Sequence, residues 1–156
     1  ATKTVTPVQD SLIEANETIL LTLAPGTGYT VGTPASATVT LTSDDLATTV
    51  SVTASDPSAT EAGLTTGRYT FTRTGGTTAL TVNYSVAGTA TAGSDYLALG
   101  TSVSFAAGAT SATKTVTPVQ DSLIEANETV ILTLAPGTGY TVGTPASATV
   151  ILTSND

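Results

Sequence analysis

Apolar and polar residues alternate with period two along almost the whole chain, and no segment of ten or more residues shows helical periodicity. Within residues 46–156 the alternation predicts seven strands. They lie near Thr48–Ala54, Arg68–Thr74, Leu80–Val86, Ser102–Phe105, Thr113–Val119, Glu128–Leu134 and Ala146–Thr153. The segments between them are rich in residues that accept turn dihedrals: Asp56-Pro57-Ser58, Thr74-Gly75-Gly76, Ala92-Gly93-Ser94-Asp95 and Pro136-Gly137-Thr138-Gly139. Seven short strands in about 110 residues predict an all-β fold, a seven-stranded antiparallel immunoglobulin-like β-sandwich.

The same pattern occurs twice. Residues 112–156 repeat residues 1–45, and only Ile19/Val130, Leu20/Ile131, Thr40/Ile151 and Asp44/Asn155 differ, so 41 of 45 positions agree. The offset is 111 residues, about one domain length, so the chain reads as a window on a tandem repeat. Residues 46–156 are then one complete repeat. Residues 1–45 are the C-terminal part of a preceding one, with three strands near Lys3–Val8, Glu17–Leu23 and Ala37–Leu41. The substitutions test the face assignment. Ile151 and Ile131 replace Thr40 and Leu20 on the face turned away from the core. Val130 for Ile19 falls inside the Val130, Leu132, Leu134 stripe and removes one methylene. Three strands alone would expose an apolar face and open sheet edges. Residues 1–45 are therefore expected to be ordered as strands against polypeptide other than residues 46–156 of the same chain. Asp44-Asp45-Leu46-Ala47 leaves almost no linker, so neighbouring repeats are expected end to end.

Composition narrows the chemistry. There is no Cys, so the fold does not rest on disulfides. With no His either, zinc, haem and iron–sulfur chemistry are disfavoured, and the commonest general base and the thiol nucleophile are missing. No enzymatic activity is expected. Twelve Asp and Glu stand against four Lys and Arg, a net charge of −8, which is not the footprint of a nucleic-acid binder. No signal peptide and no apolar run of transmembrane length is present, so membrane insertion is not expected. Thr, 37 residues, suits the outer faces of strands, and the composition suggests a secreted or cell-surface protein.

The acids of the complete repeat are Asp56, Glu61, Asp95, Asp121, Glu125, Glu128 and Asp156, all in or beside predicted connections. In a seven-stranded antiparallel sandwich, the connections after the first, third and fifth strands and the end of the seventh share one pole. Glu61, Asp95, the Asp121–Glu128 segment and Asn155-Asp156 should converge there. Carboxylates so gathered repel one another, and a hard divalent cation relieves the repulsion. Ca²⁺, with six to eight oxygen ligands in flexible geometry, suits such a set, whereas Mg²⁺ would use fewer protein ligands.

These residues resemble a known family. Thr89-Ala90-Thr91-Ala92-Gly93-Ser94-Asp95-Tyr96, Val103-Ser104-Phe105-Ala106-Ala107-Gly108, Asp121 through Val130, and Val52–Asp56 with Glu61-Ala62-Gly63 are similar to the Calx-beta domain. The resemblance implies a sandwich that binds Ca²⁺ at one pole, with Glu61, Asp95, Asp121, Glu125 and Asp156 as ligands. In the partial copy it implies Asp10, Glu14, Asp44 and Asp45. Glu128 is either a further ligand or a solvent-facing strand residue. The chain departs from the family pattern at Gln120-Asp121, where many members carry paired Asp, and at Asn155-Asp156, where an acidic run is common; both suggest fewer or weaker ions.

Other features carry less. Asn16-Glu17-Thr18, Asn83-Tyr84-Ser85 and Asn127-Glu128-Thr129 fit the glycosylation pattern, which is common by chance. Arg68 and Arg73 either pair with loop acids or lie on an exposed strand face, the second being favoured, and the dispersed tyrosines are expected mostly as core or sheet-edge anchors. Gly137-Thr138-Gly139 is a turn, since no helix follows it. The functional expectation is a calcium-binding structural module of an extracellular repeat stalk, fibre or adhesin. Its partners would be neighbouring repeats and other copies in a fibre. The alternative is a calcium-responsive regulatory domain like those of sodium/calcium exchangers.

Overall fold

The computed structural model describes the whole chain except residues 9, 11, 12, 44, 46, 155 and 156. The chain divides into two compact units, Ala1–Leu46 and Ala47–Asp156.

In the first unit, β1 (Glu17–Thr22) and β2 (Ser36–Leu41) form an antiparallel hairpin in register from Glu17↔Leu41 to Thr22↔Ser36. The expected strand at Lys3–Val8 is not formed. Its counterpart in the second unit is a strand there because it pairs along Gly67–Thr72, and residues 1–8 make no strand pairing among the described residues. A strand exists only where its backbone groups are paired, whatever its propensity.

The second unit has β3 (Thr49–Asp56), β4 (Ser58–Thr60), β5 (Gly67–Thr74), β6 (Leu80–Gly88), β7 (Ser102–Phe105), β8 (Ser111–Val116), β9 (Glu128–Leu134), β10 (Thr141–Val142) and β11 (Ser147–Thr153). They form two sheets, ordered β10-β3-β5-β8 and β4-β11-β9-β6-β7. Inward residues of both share one core: Val50, Val52, Tyr69, Phe71 and Val116 from the first sheet, and Val82, Tyr84, Phe105, Val130, Leu132, Val150 and Leu152 from the second. Outward positions between them carry mostly Thr and Ser.

Nine described strands replace the seven expected, because β4 and β10 are short additions. Pro57 supplies no backbone N–H, so the β3 ladder stops at Asp56. The chain then crosses to the other sheet, where β4 runs parallel to β11 with Ala59 opposite Leu152. Similarly β10 runs parallel to β3, with Val142 opposite Val50. A short 3₁₀ turn at Ala62–Leu64 follows β4.

Arg73 is not on the exposed face. It shares the parity of Tyr69 and Phe71, and it is buried. Its Nη1 donates to the Thr78 carbonyl at 2.6 Å and its guanidinium lies 5.4 Å from the Phe105 ring centroid. A cation can be buried there because a carbonyl and an aromatic face receive it. Arg68, on the opposite parity, is exposed. Four tyrosines, Tyr69, Tyr84, Tyr96 and Tyr140, are buried, while Tyr29 is exposed.

The end of β6 meets the start of β9 closely. Gly88 has φ +126°, and a Cβ on it would lie 2.0 Å from the Thr129 carbonyl oxygen. Only glycine accepts both conditions. Gly88→Ala is expected to cost about 2 kcal/mol or more, from backbone strain with steric clash, and to lower the melting temperature in a thermal scan.

Candidate metal centre

The elements bring five carboxylates to one end of the second unit. The β3-to-β4 crossing delivers Glu61 to the end of β11, where its N–H donates to the Thr153 carbonyl at 3.1 Å. Asp95 sits in the β6–β7 connection, in a turn closed from both sides: its own N–H donates to Thr91 O at 3.0 Å, and Oδ2 accepts from Thr91 N at 2.5 Å. That connection is zipped onto the segment after β8. Leu97 N donates to Thr117 O, and Val119 N donates to Asp95 O, both at 2.9 Å. Two residues beyond Val119 comes Asp121, whose Oδ1 accepts from Leu123 N at 2.7 Å. Asp95, Asp121 and Glu125 each offer a carboxylate oxygen, and these oxygens lie within 4.8 Å of one another.

Two further acids complete the cluster. Glu61 is 1 % exposed, and one of its carboxylate oxygens, Oε2, is buried without a hydrogen-bond partner. Glu128 shows the same orphaned Oε2. Glu128 does not point to solvent: it opens β9 on the parity of Val130, Leu132 and Leu134, so it faces inward. Period two in the sequence already contained that signal, since Glu128 lies two residues before a core valine.

The electrostatics are those of crowded negative charge. The carboxyl of Glu125 is raised above its ordinary value of 4.5, first by partial burial and then by the charges of Asp95, Asp121 and Glu61. That of Glu128 is raised by burial, by a hydrogen bond with Asp95, and by the charges of Asp95, Glu125 and Glu61. The cations of the second unit lie outside the cluster. Lys114 donates to the Leu99 carbonyl at 3.2 Å over the Tyr84 ring, Arg73 is bonded to Thr78, and Arg68 stands opposite Asp56 in the β3–β5 register.

A pH dependence follows for the ion-free chain. Folded-state values above the ordinary one mean that the folded form binds these protons more tightly than the unfolded form. Their contribution to stability is full below about 4.5, the ordinary value for both groups, and is lost as pH rises through the raised folded values. Thermal melts in chelator are expected to show stability from these groups falling as pH climbs out of that window. The Glu125→Gln, Glu128→Gln double variant should flatten the fall.

The donor set suits a hard cation. Every side chain is a carboxylate, two of the oxygens are buried and unpartnered, and the groups come from three separate connections. Asp156 lies outside the described residues, as does Asp44. In the first unit Asp10, Glu14 and Asp45 line one cleft with Glu17, beside Ile19 and Leu41. Asp56 stands apart and exposed, its Oδ1 receiving Ser58 N at 3.4 Å in a local turn.

The sequence pattern of the Calx-beta domain matches residues 2–45 and 44–156. The chain belongs to the Calx-beta family. No curated protein sequence matches it. Among solved structures, it is similar to the apo form of the Calx CBD1 domain, at 22 % identity and a TM-score of 0.59, over 71 % of this chain and all of that one. CBD12 from CALX1.2 is similar at 20 % identity and a TM-score of 0.56, over 68 % of this chain and 45 % of that one. The calcium binding domain CBD12 of CALX1.1 matches at 24 % identity and a TM-score of 0.54, over 67 % of this chain. The chain spans all of the single domain but under half of the two CBD12 structures, at 45 % and 44 %. At these identities the likeness is one of fold. No described helix is long and apolar enough to cross a membrane.

Proposed function

We propose that the second unit is a calcium-responsive Calx-beta module. Glu61, Asp95, Asp121, Glu125 and Glu128 would hold Ca²⁺, with Asp156 as a further ligand. The observation that carries this is the pair of buried, unpartnered carboxylate oxygens on Glu61 and Glu128 beside three mutually close acids. Bound there, the ion would supply the positive charge that the cluster lacks. The chain's own part is to hold three connections, those carrying Glu61, Asp95 and Asp121–Glu128, so that they can be drawn together. The name of one similar structure, a calcium binding domain, favours the same chemistry. In the first unit Asp10, Glu14, Asp44 and Asp45 would be the corresponding part of a second site. We read the second unit as an immunoglobulin-like sandwich of seven principal strands, with β4 and β10 as appended edges, in a repeat of about 111 residues. No catalytic role is proposed.

A second reading makes the module a structural element of a secreted or cell-surface repeat stalk or adhesin, with neighbouring repeats as partners. It is favoured by the agreement of 41 of 45 positions between copies, since a sensor needs few, individually tuned domains.

Calorimetric titration of the whole chain with Ca²⁺ tests both. Asp121→Ala is expected to weaken binding at least tenfold and Asp56→Ala to leave it unchanged. Equal effects, or no heat at millimolar Ca²⁺, would overturn the metal assignment. A transition at micromolar Ca²⁺ with a change of shape fits the responsive module, whereas saturation only at millimolar levels fits the stalk.

A further inference from the structure

Beside the acid cluster the ladder between β6 and β9 breaks off in an unusual way. Its antiparallel register ends at Gly88↔Val130, so Thr89 and Thr129 are the next facing pair. Ala135 N donates to Asn83 O at 2.9 Å, so the alternate residues Ser85, Ala87 and Thr89 turn their main-chain groups to β9. In a regular ladder each N–H of such a pair goes to the other's carbonyl. Here each goes to the other's side chain. Thr129 N donates to Thr89 Oγ1 at 2.9 Å, and Thr89 N donates to Thr129 Oγ1 at 3.2 Å. The two hydroxyl oxygens lie 3.4 Å apart, within reach of one further bond. The Thr129 carbonyl instead accepts from Ala90 N at 3.2 Å, and Gly88, without a Cβ, leaves room for its approach. One residue further on, Thr91 N is free to donate to Asp95 Oδ2. On the other strand Thr129 directly follows Glu128, whose carboxyl is hydrogen-bonded with that of Asp95.

We propose that Thr89 and Thr129 are positioning residues for the acid cluster, their paired hydroxyls setting how the Asp95 turn and Glu128 meet. The inference rests on the reading of that cluster as a Ca²⁺ site. Both threonines act through their neighbours: groups outside a metal's own ligands fix the geometry those ligands present. Hydroxyls set between two strands take the N–H bonds that would otherwise extend the ladder. Valine has nearly the shape of threonine but no acceptor. With valine at either position the two strands can close into one more regular pair, N–H on carbonyl. That draws the Thr129 carbonyl back to residue 89 and takes Ala90 and Thr91 off their present bonds. Asp95 then loses the donor at Oδ2. The effect on the ion is one of arrangement and not of charge, since no carboxylate is altered.

The test uses the full chain with Thr89→Val, Thr129→Val, the double variant, Thr89→Ser and Thr129→Ser. Each is titrated with Ca²⁺ by calorimetry and followed by amide hydrogen exchange in chelator. Each valine variant is expected to weaken Ca²⁺ binding about tenfold, the scale for groups that orient metal ligands from outside. The double variant should lose no more than the more affected single one, because either substitution already breaks the pair. Serine keeps the hydroxyl and should keep the parent's affinity. In chelator, exchange at the Thr91 and Asp95 amides should quicken in the valine variants and match the parent in the serine ones. A merely structural pair would lower the melting temperature and leave Ca²⁺ affinity at the parent's value, which overturns the proposal. So does a double variant in which the two single losses multiply, or a serine variant as weak as the valine one. The exchange measurement is independent of the metal reading. If the parent itself binds no Ca²⁺, quicker exchange confined to residues 90–95 still supports the positioning of the turn, and unchanged exchange overturns it. Should Thr129→Val not fold, Thr89→Val, at an exposed position, carries the same readouts.

Discussion

Millimolar Ca²⁺ is expected to raise the melting temperature of the chain by about 10 °C over its value in chelator. Binding to the folded form alone adds RT ln(1 + [L]/Kd), about 2.7 kcal/mol at a hundredfold excess over Kd. For a unit of this size each kcal/mol moves Tm by about 4 °C. The sign of variant effects separates ligands from packing. Glu61→Gln and Glu128→Gln remove buried negative charge, so in chelator they should leave Tm unchanged or higher. With Ca²⁺ the same variants should lose most of the increment. Asp95→Ala should lower Tm under both conditions, since Asp95 Oδ2 also holds the Thr91 N–H in its turn. The readout is differential scanning calorimetry of four proteins with and without ion. Identical scans for the parent in Ca²⁺ and in chelator would remove the case for a metal site.

The second large effect compares one leucine in two places. Leu132 is fully buried between the sheets, and Leu132→Ala is expected to cost about 2–5 kcal/mol, the range for truncating a core leucine. Its copy Leu21 lies in a sequence that differs nearby only at Ile19/Val130 and Leu20/Ile131, yet 48 % of it is exposed. Leu21→Ala should shift the main transition by no more than about 0.5 kcal/mol, as surface substitutions do. Denaturant melts of both variants measure the difference. Comparable losses would mean that the hairpin face is covered in solution.

Much of this architecture was legible in the chain. Period-two alternation located β3, β5, β6, β7, β9 and β11, and the copy differences sorted their faces: Ile151 is exposed, whereas Val130 is buried. Asp95, Asp121 and Glu125 could be grouped because turn-rich connections place them at the same strand ends. What escaped has physical reasons. The role of Pro57 in passing the chain between sheets depends on β11, far away in sequence. Arg73 could be assigned to the core only by trusting parity over charge, since its compensation comes from Phe105 and the Thr78 carbonyl. Glu128 followed the same parity rule. The most instructive case is Ala1–Val8, identical to Ala112–Val119, of which only the second copy contains a strand. Identical residues with identical propensity differ in structure because the partner is β5 and not the neighbouring sequence.

The parallel pairing of β4 with β11 has a mechanical consequence. β4 lies near the start of the second unit and β11 at its end, and three residue pairs join them, from Ser58↔Ile151 to Thr60↔Thr153. Tension along the chain draws β4 toward its N-terminus and β11 toward its C-terminus. In parallel strands those pulls oppose each other along one axis, so the bonds between them are loaded together in shear instead of peeling one at a time. β10 on β3 repeats the arrangement at the other sheet's edge. Resistance to force is set by the rate of rupture and not by equilibrium stability, so under tension these two short pairings would govern how fast the unit opens.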